Sequence, residues 1–322
     1  QLFVSKPDDI VVQRITAPAG KTFKVRVSLH KSGGWSMVSG MNWGSRRGIG
    51  TTDPDMKAFV QLTEDQKKFA PKGVESCEVR QVTGENMLIY KCRLDPSVDN
   101  SGYAGITRVI GEGGRAHVEG NHLVVENASS LIMLTRIEYF PDYSENKTEA
   151  LQKSLGEITP DYNGLLERHE KVHSEIFNRV SVDFGGSGQY GISAEELLTD
   201  QRTRPDYSPA FLEKVYEMGR HWFIINSGKY PCISSQVNST INLLTAGAVQ
   251  GDLKEGMEAY FRWMEEIAPD CRKNSENIFG LQGASYPLFP DKGIGVSFYY
   301  NSAPEIGIWP YWISAGGWLL RH

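Results

Sequence analysis

The sequence predicts an antiparallel β-sandwich followed by helices, a multidomain β + α chain, and three observations predict it. Apolar residues alternate with polar ones through short runs as far as Tyr139, the period of a half-buried strand. Beyond that point the spacing changes to three and four, the period of a helix with one apolar face. The change falls on one stretch, Tyr162–Val180, where Tyr162, Leu165, Leu166, His169, Val172, His173, Ile176, Phe177 and Val180 share a face. Glu167, Arg168, Glu170, Lys171 and Glu175 mostly take the wet side. This helix is the joint between the halves.

The strands follow in order. Ile10–Ile15 is the first expected strand; in Thr22–Leu29, Phe23, Val25, Val27 and Leu29 oppose Lys24, Arg26 and Ser28. Further strands are expected at Lys57–Leu62, Glu75–Val82, Met87–Leu94, Thr107–Ile110, His122–Glu126 and Ser130–Tyr139, separated by Gly, Asn, Asp and Pro. Many strands without intervening helices point to a sandwich. Trp35 and Trp43 lie in a Gly- and Ser-rich segment that reads as a long surface loop. Gly111-Glu-Gly-Gly114 lacks the spacing of a phosphate cradle and no helix follows it, so it reads as a loop between strands. A hairpin turning through Gly84-Glu85, with Gly first as a type II′ turn favours, would set Cys77 directly opposite Cys92. Facing Cα atoms ~4.5–5.5 Å apart lie inside the disulfide range. The alternative is two reduced thiols in adjacent core positions.

In the second half, helices are expected at Ser193–Thr199 and Ser208–Ile225, each opened by a serine N-cap candidate. Another covers Asp252–Ile267, ended by Ala268-Pro269, and a last begins near Trp309 and runs to His322. The loops between them, notably Phe279–Tyr300, are long and aromatic. Helices joined in this way suit a helical barrel or toroid whose loops form a pocket at one end.

Composition removes several functional classes. The 322 residues are 40% hydrophobic with a net charge of −5 and no basic cluster, which argues against a nucleic-acid partner. No apolar run approaches the ~20 residues of a membrane span. Gln1-Leu-Phe-Val-Ser lacks the form of an export signal. Four cysteines are too few for a disulfide framework and too scattered for a zinc quartet. His169-Glu170-Lys171-Val172-His173 matches His-Glu-x-x-His, the zinc-peptidase pattern, with Glu195 or Glu196 available as a third ligand. Glu167, Lys171 and Glu175 are charged where that pattern keeps uncharged residues. The preferred reading is therefore two histidines packing and hydrogen-bonding at a domain joint, with a zinc metallopeptidase as the remote alternative. Neither a metal nor a cofactor is expected.

Several motifs resemble glycoside hydrolase family 95, the bacterial α-L-fucosidases and relatives acting on terminal α-L-sugars. Leu2-Phe-Val-Ser-Lys-Pro-Asp-Asp-Ile-Val-Val12, Leu123-Val-Val-Glu-Asn-Ala128 and Tyr162…His169…Ile176-Phe-Asn-Arg-Val180 are similar to its N-terminal sandwich and connecting helix. Gly219-Arg220, Val237-Asn238…Asn242, Gly251-Asp-Leu…Glu255 and Trp309…Gly316-Gly-Trp-Leu319 are similar to its early barrel. The resemblance implies a β-sandwich over 1–145, a linker helix over 146–182 and the first part of an (α/α)6 barrel over 183–322. It implies exo-acting hydrolysis of a terminal α-L-fucose, or a related α-L-sugar, with inversion. An acid protonates the leaving oxygen while a base activates water on the opposite face.

In that family two asparagines one position apart hold the water, assisted by an aspartate. Asn238 matches the second, and Gln236 stands where the first belongs, one methylene longer; the segment from Ile225 to Ser235 also looks shorter than the family's. Asn238 as a cap of the following helix is the competing reading. Asp291 matches a sugar-contacting aspartate, and Trp309, Trp312 and Trp318 include a candidate to stack on the sugar. Glu276 and Glu305 are candidate pocket acids, though spacing singles out neither as proton donor. The resemblance puts both the proton donor and the assisting aspartate beyond Gly316-Gly-Trp-Leu319. With five or six helices placed where the barrel needs about a dozen, the chain is expected to be a portion of a longer polypeptide, inactive by itself. A glycan substrate implies a periplasmic or extracellular location. A non-catalytic glycan-binding protein of the same fold is the alternative function, and Gln236 is its best support.

Overall fold

The computed structural model describes residues 1–29, 74–82, 85–93, 100–232, 239–288 and 315–319, with only the backbone given for 74–82, 85, 187, 239 and 318. The described residues fall into two compact units, divided between Glu170 and Lys171.

The first unit contains nine described strands, β1 (Leu2–Ser5), β2 (Ile10–Thr16), β3 (Phe23–Val27), β4 (Val74–Val82), β5 (Glu85–Arg93), β6 (Gly102–Glu112), β7 (Arg115–Glu119), β8 (His122–Ala128) and β9 (Ser130–Phe140). They form an antiparallel six-stranded sheet, β1-β2-β9-β6-β5-β4, and a three-stranded sheet, β3-β8-β7. Successive residues of the large sheet serve different cores. Leu88, Val109, Leu131 and Met133 pack with Leu123, Val125 and Ala128 of the small sheet. Their alternates Ile89, Ile106 and Leu134, with Ile10 and Val12, pack beneath Leu155 of α1 (Thr148–Gly156) and Tyr162 and Leu165 of α2 (Tyr162–Phe177). A strand covered on both faces loses its polar alternation, which explains runs such as Leu88-Ile89. Each fully buried aliphatic side chain contributes about 1.5–3 kcal/mol. Arg108 is the polar exception among them, and its Nη1 donates to the carbonyls of Leu155 (3.3 Å) and Ile158 (2.6 Å), serving the C-terminal end of α1. The start of α2 is fastened by an edge-on contact of Phe3 with Tyr162 and by the Arg14 guanidinium over the Tyr162 ring.

The sandwich expected from the alternation is present, and α1 and α2 add a helical layer to it. Short β1 and β7 are additional to the strands expected from alternation. Of the loop expected at Gly111–Gly114, only Gly113 and Gly114, at φ +72° and +73°, turn β6 into β7, because Gly111 and Glu112 still pair with Leu131 and Ser130 of β9. A side chain on Gly114 would run into the Glu126 carbonyl, so the sharp turn requires glycine. The expected strand at Lys57–Leu62 and the residues Trp35 and Trp43 lie outside the described residues.

The Cys77–Cys92 pairing is corrected. The β4–β5 register sets Val82 against Glu85, Cys77 against Tyr90 and Cys92 against Glu75. The two cysteines are therefore diagonal, ~7–8 Å apart by strand geometry and beyond disulfide reach. Cys92 is a buried free thiol. Val82 pairs with Glu85, which a turn through Gly84-Glu85 does not allow, so the whole hairpin shifts from the expected register.

The second unit holds the end of α2, then α3 (Ala194–Gln201), α4 (Pro209–Asn226), α5 (Ser239–Thr245), α6 (Lys254–Phe279) and α7 (Ala315–Leu319). Helix α3 opens with the expected serine, in a reciprocal box: Ser193 Oγ accepts from the Glu196 N–H (3.2 Å), and the Glu196 carboxylate accepts from the Ser193 N–H (3.0 Å). Ser208 precedes α4 with Pro209 in the first turn, where a missing N–H costs nothing. The expected stop at Ala268-Pro269 is wrong, because α6 continues through Pro269 to Gly280 at φ +66°. An interior proline costs about 3 kcal/mol. The buried face of Met257, Tyr260, Met264, Ile267, Cys271 and Ser275 continues across it at helical spacing, and that packing offsets the cost. Of the helix expected from Trp309 onward, only Ala315–Leu319 lies within the description.

Candidate functional site

In the second unit, Phe223 and Ile224 of α4, Ile241 of α5, Met257, Tyr260 and Met264 of α6, and Ala315 and Leu319 of α7 form one core. Tyr260 is fully enclosed, its hydroxyl donating to the Leu319 carbonyl (3.0 Å), and burial pushes its pKa far up. That bond fixes α7 against α6. It thereby fixes the backbone around Trp318, whose side chain lies outside the description.

Several residues that carry the family resemblance meet here. Buried Arg220 donates through Nη1 to the Gly251 carbonyl and through Nη2 to those of Ile176 (3.0 Å) and Phe177 (3.1 Å). Those last two close α2, where unpaired carbonyls and the negative end of the helix dipole favour a cation. Arg179 pairs with Glu255 at 2.8 Å. Burial raises the Glu255 pKa, but its own backbone N–H and the Arg179 guanidinium outweigh this and hold it below the usual range. Asp252 turns the chain at φ +49° before α6. At Gly256 a side chain would strike the Phe223 ring and Ser227 Oγ. Arg179, Arg220, Gly251 and Glu255 thus form one framework around the turn into α6.

Asn242, one turn into α5, departs from this pattern. Both polar atoms of its side chain are buried and neither has a hydrogen-bond partner. A buried polar group left unpaired costs about 1–3 kcal/mol, so this amide requires an explanation that packing does not supply. It follows Asn238 in sequence by four residues. Its two donors and its acceptor oxygen are left without a hydrogen-bond partner.

Gln236, Asn238, Asp291, Glu305, Trp309 and Trp312 lie outside the described residues. Glu276 is exposed on the last turn of α6, its carbonyl accepting from the Gly280 N–H. The two histidines of the zinc-like pattern engage different neighbours. His169 stacks on Phe3 with ring centres 5.1 Å apart, and burial lowers its pKa. His173 stacks on Phe177 and approaches His221, with Nε2 3.3 Å from His221 Nδ1. Glu196 is committed to its cap, and no group of three metal-ligating side chains occurs among the described residues. Both histidines pack against aromatic rings, and His173 is also within hydrogen-bond distance of His221.

No protein-family model matches the chain. Over 359 aligned positions it is 21% identical to alpha-L-fucosidase 2 of Arabidopsis thaliana, an alignment covering 100% of this chain and 39% of that protein. The chain resembles an α-L-fucosidase. The similarity extends over the whole sequence, and this relative is a plant protein where the motifs pointed to bacterial enzymes. The chain spans about two fifths of that relative's length. Among solved structures, a protein described as a kojibiose phosphorylase from the human microbiome superposes with a TM-score of 0.49 at 9% identity, over 89% of this chain and 34% of that one.

Proposed function

We propose that the chain contributes to an exo-acting glycoside hydrolase that removes a terminal α-L-fucose with inversion, its helices forming part of an (α/α)6 barrel. The observation that carries this is the similarity to an α-L-fucosidase along the full chain. Asn238 and Gln236 hold the attacking water; an amide cannot itself activate it, so a carboxylate beside them does. Asp291 accepts from sugar hydroxyls, and one of Trp309, Trp312 and Trp318 stacks on the ring. Asn242 adds a further amide to the same sugar site, because its unpaired donors and acceptor suit hydroxyl groups that both give and accept. The substrate is an extracellular glycan, which puts the protein outside the cytoplasm.

The test, on a polypeptide that carries this chain together with the proton donor and assisting aspartate that the family resemblance places beyond it, is calorimetric binding of L-fucose against D-mannose, together with release of nitrophenol from an aryl α-L-fucoside followed by proton NMR. Selective binding with β-L-fucose formed first supports the reading. Equal binding of both sugars refutes it. Selective binding without turnover supports the second reading, a glycan-binding protein of the same fold, which Gln236 in place of asparagine favours. Asn242→Ala should leave stability unchanged or raise it, since an orphaned amide is removed, while L-fucose affinity falls about tenfold or more.

A further inference from the structure

We propose that Asn146 is an N-glycosylation site, the acceptor of an oligosaccharide in a eukaryotic secretory pathway. The proposal rests on the reading that the protein works outside the cytoplasm, and the α-L-fucosidase that the chain resembles comes from a eukaryote. Three stretches have the form Asn-x-Ser/Thr without proline in the middle: Asn127-Ala-Ser129, Asn146-Lys-Thr148 and Asn238-Ser-Thr240. So short a pattern recurs by chance, and structure has to choose among its occurrences. Asn238 lies outside the described residues.

Asn146 sits on a surface connection between the 3-10 turn Tyr143–Glu145 and α1, with extended backbone at φ −59° and ψ 135°. It and Lys147 are exposed, so a bulky glycan on this side chain meets solvent and not protein. Thr148 Oγ1 donates to the Asn146 side-chain oxygen (3.0 Å), which brings the hydroxyl that the pattern demands against the amide to be modified. The Asn146 Nδ2 donates one N–H to the Tyr143 carbonyl (2.9 Å), and glycosylation replaces the other. The new bond joins Nδ2 to the anomeric carbon of a lipid-linked oligosaccharide diphosphate. The bond from that carbon to the diphosphate breaks, the diphosphate leaves with the electron pair, and the displaced amide proton passes to a base of the transferase. A glycosylated Asn146 therefore keeps one N–H for Tyr143 and its oxygen for Thr148. Asn127 is exposed too, but it lies inside β8 at φ +59°, where the pairing with β3 skips from Ala128 to Glu126. The hydroxyl of its pattern, on Ser129, donates to the Glu112 carbonyl (3.1 Å) and not to the amide.

The experiment expresses the full chain behind a secretion leader in cultured mammalian cells. Peptide N-glycosidase in heavy-oxygen water then converts each glycosylated asparagine into labelled aspartate, which peptide mass spectrometry locates. Position 146 should carry the label. Asn146→Gln and Thr148→Val should each abolish it, whereas Thr148→Ser, which keeps the hydroxyl, should retain it. Cell membranes are analysed as well as medium, so a variant that enters the pathway and fails to fold still gives a result. An unlabelled position 146 in parent chain whose leader has been cleaved overturns the proposal, as does a label there that survives Thr148→Val. Because the leader imposes entry, an unlabelled position refutes the glycosylation site alone, while equal binding of L-fucose and D-mannose refutes the fucosidase reading alone.

Discussion

Replacing Arg220 by methionine tests whether the second unit is organised around that guanidinium. The substitution keeps the apolar stem and removes the donations to Gly251, Ile176 and Phe177. Bonds from a charged donor contribute about 1.5–3 kcal/mol each, but the two made by Nη2 share one nitrogen, so the side chain has two independent anchor points. Their loss amounts to about 3–6 kcal/mol. Against this, Nε is buried without a partner, and removing a desolvated cation returns part of its cost. A net destabilisation of about 3 kcal/mol follows, a large share of the 5–15 kcal/mol available to a folded domain. Urea unfolding followed by circular dichroism measures it. Arg220→Lys should lose about half as much, because one ammonium reaches one anchor point but not both. A methionine variant within about 0.5 kcal/mol of the parent would show that α2, α4 and the Gly251 turn are held by apolar packing alone.

Pro269→Ala should stabilise the chain by about 1–3 kcal/mol in the same assay, because it restores an N–H inside α6 where the helix already continues. Ser193→Ala should cost about 1 kcal/mol by opening the box at the start of α3. Hydrogen bonds from Lys24 and then Arg115 hold the Glu126 carboxyl at a pKa of about 2, from an ordinary value of 4.5. Because the folded pKa is the lower one, the stabilisation is fully present above pH 4.5 and is lost as pH falls toward 2. An acid titration of unfolding should therefore lose part of its slope in that window in Glu126→Gln.

Legibility in the sequence followed burial geometry. The strands of the sandwich were readable because two-residue alternation needs only a core on one side. The helical layer over the large sheet was not, since strand periodicity says nothing about what covers the second face. Ile89, Ile106 and Leu134 carry that information only as apolar residues where polar ones would be expected. The hairpin failed by one turn residue. Gly84 is compatible with either position in a two-residue loop, and the choice moves Cys77 from Cys92 to Tyr90. Proline at 269 misled for the opposite reason: a local rule was applied where the buried face of α6 continues on both sides.

The candidate site was legible only through family motifs, and the structure divides those motifs by the work their residues do. Arg179, Arg220, Gly251 and Glu255 are engaged by one another or by backbone carbonyls, with only Arg220 Nε among their buried side-chain atoms left unpaired, and groups so engaged have little capacity left for a ligand. Their work is the turn they build between α4 and α6. Asn242 belongs to the same motif set yet is unsatisfied on both polar atoms. Sequence spacing cannot separate the two kinds, because a residue that knits helices and a residue that waits for substrate occupy equivalent helical positions. Hydrogen-bond accounting separates them: each framework side chain is engaged by a partner, whereas the Asn242 amide is engaged on neither of its polar atoms. Substituting the framework should therefore unfold the unit before it changes specificity, whereas substituting Asn242 should change binding without unfolding it.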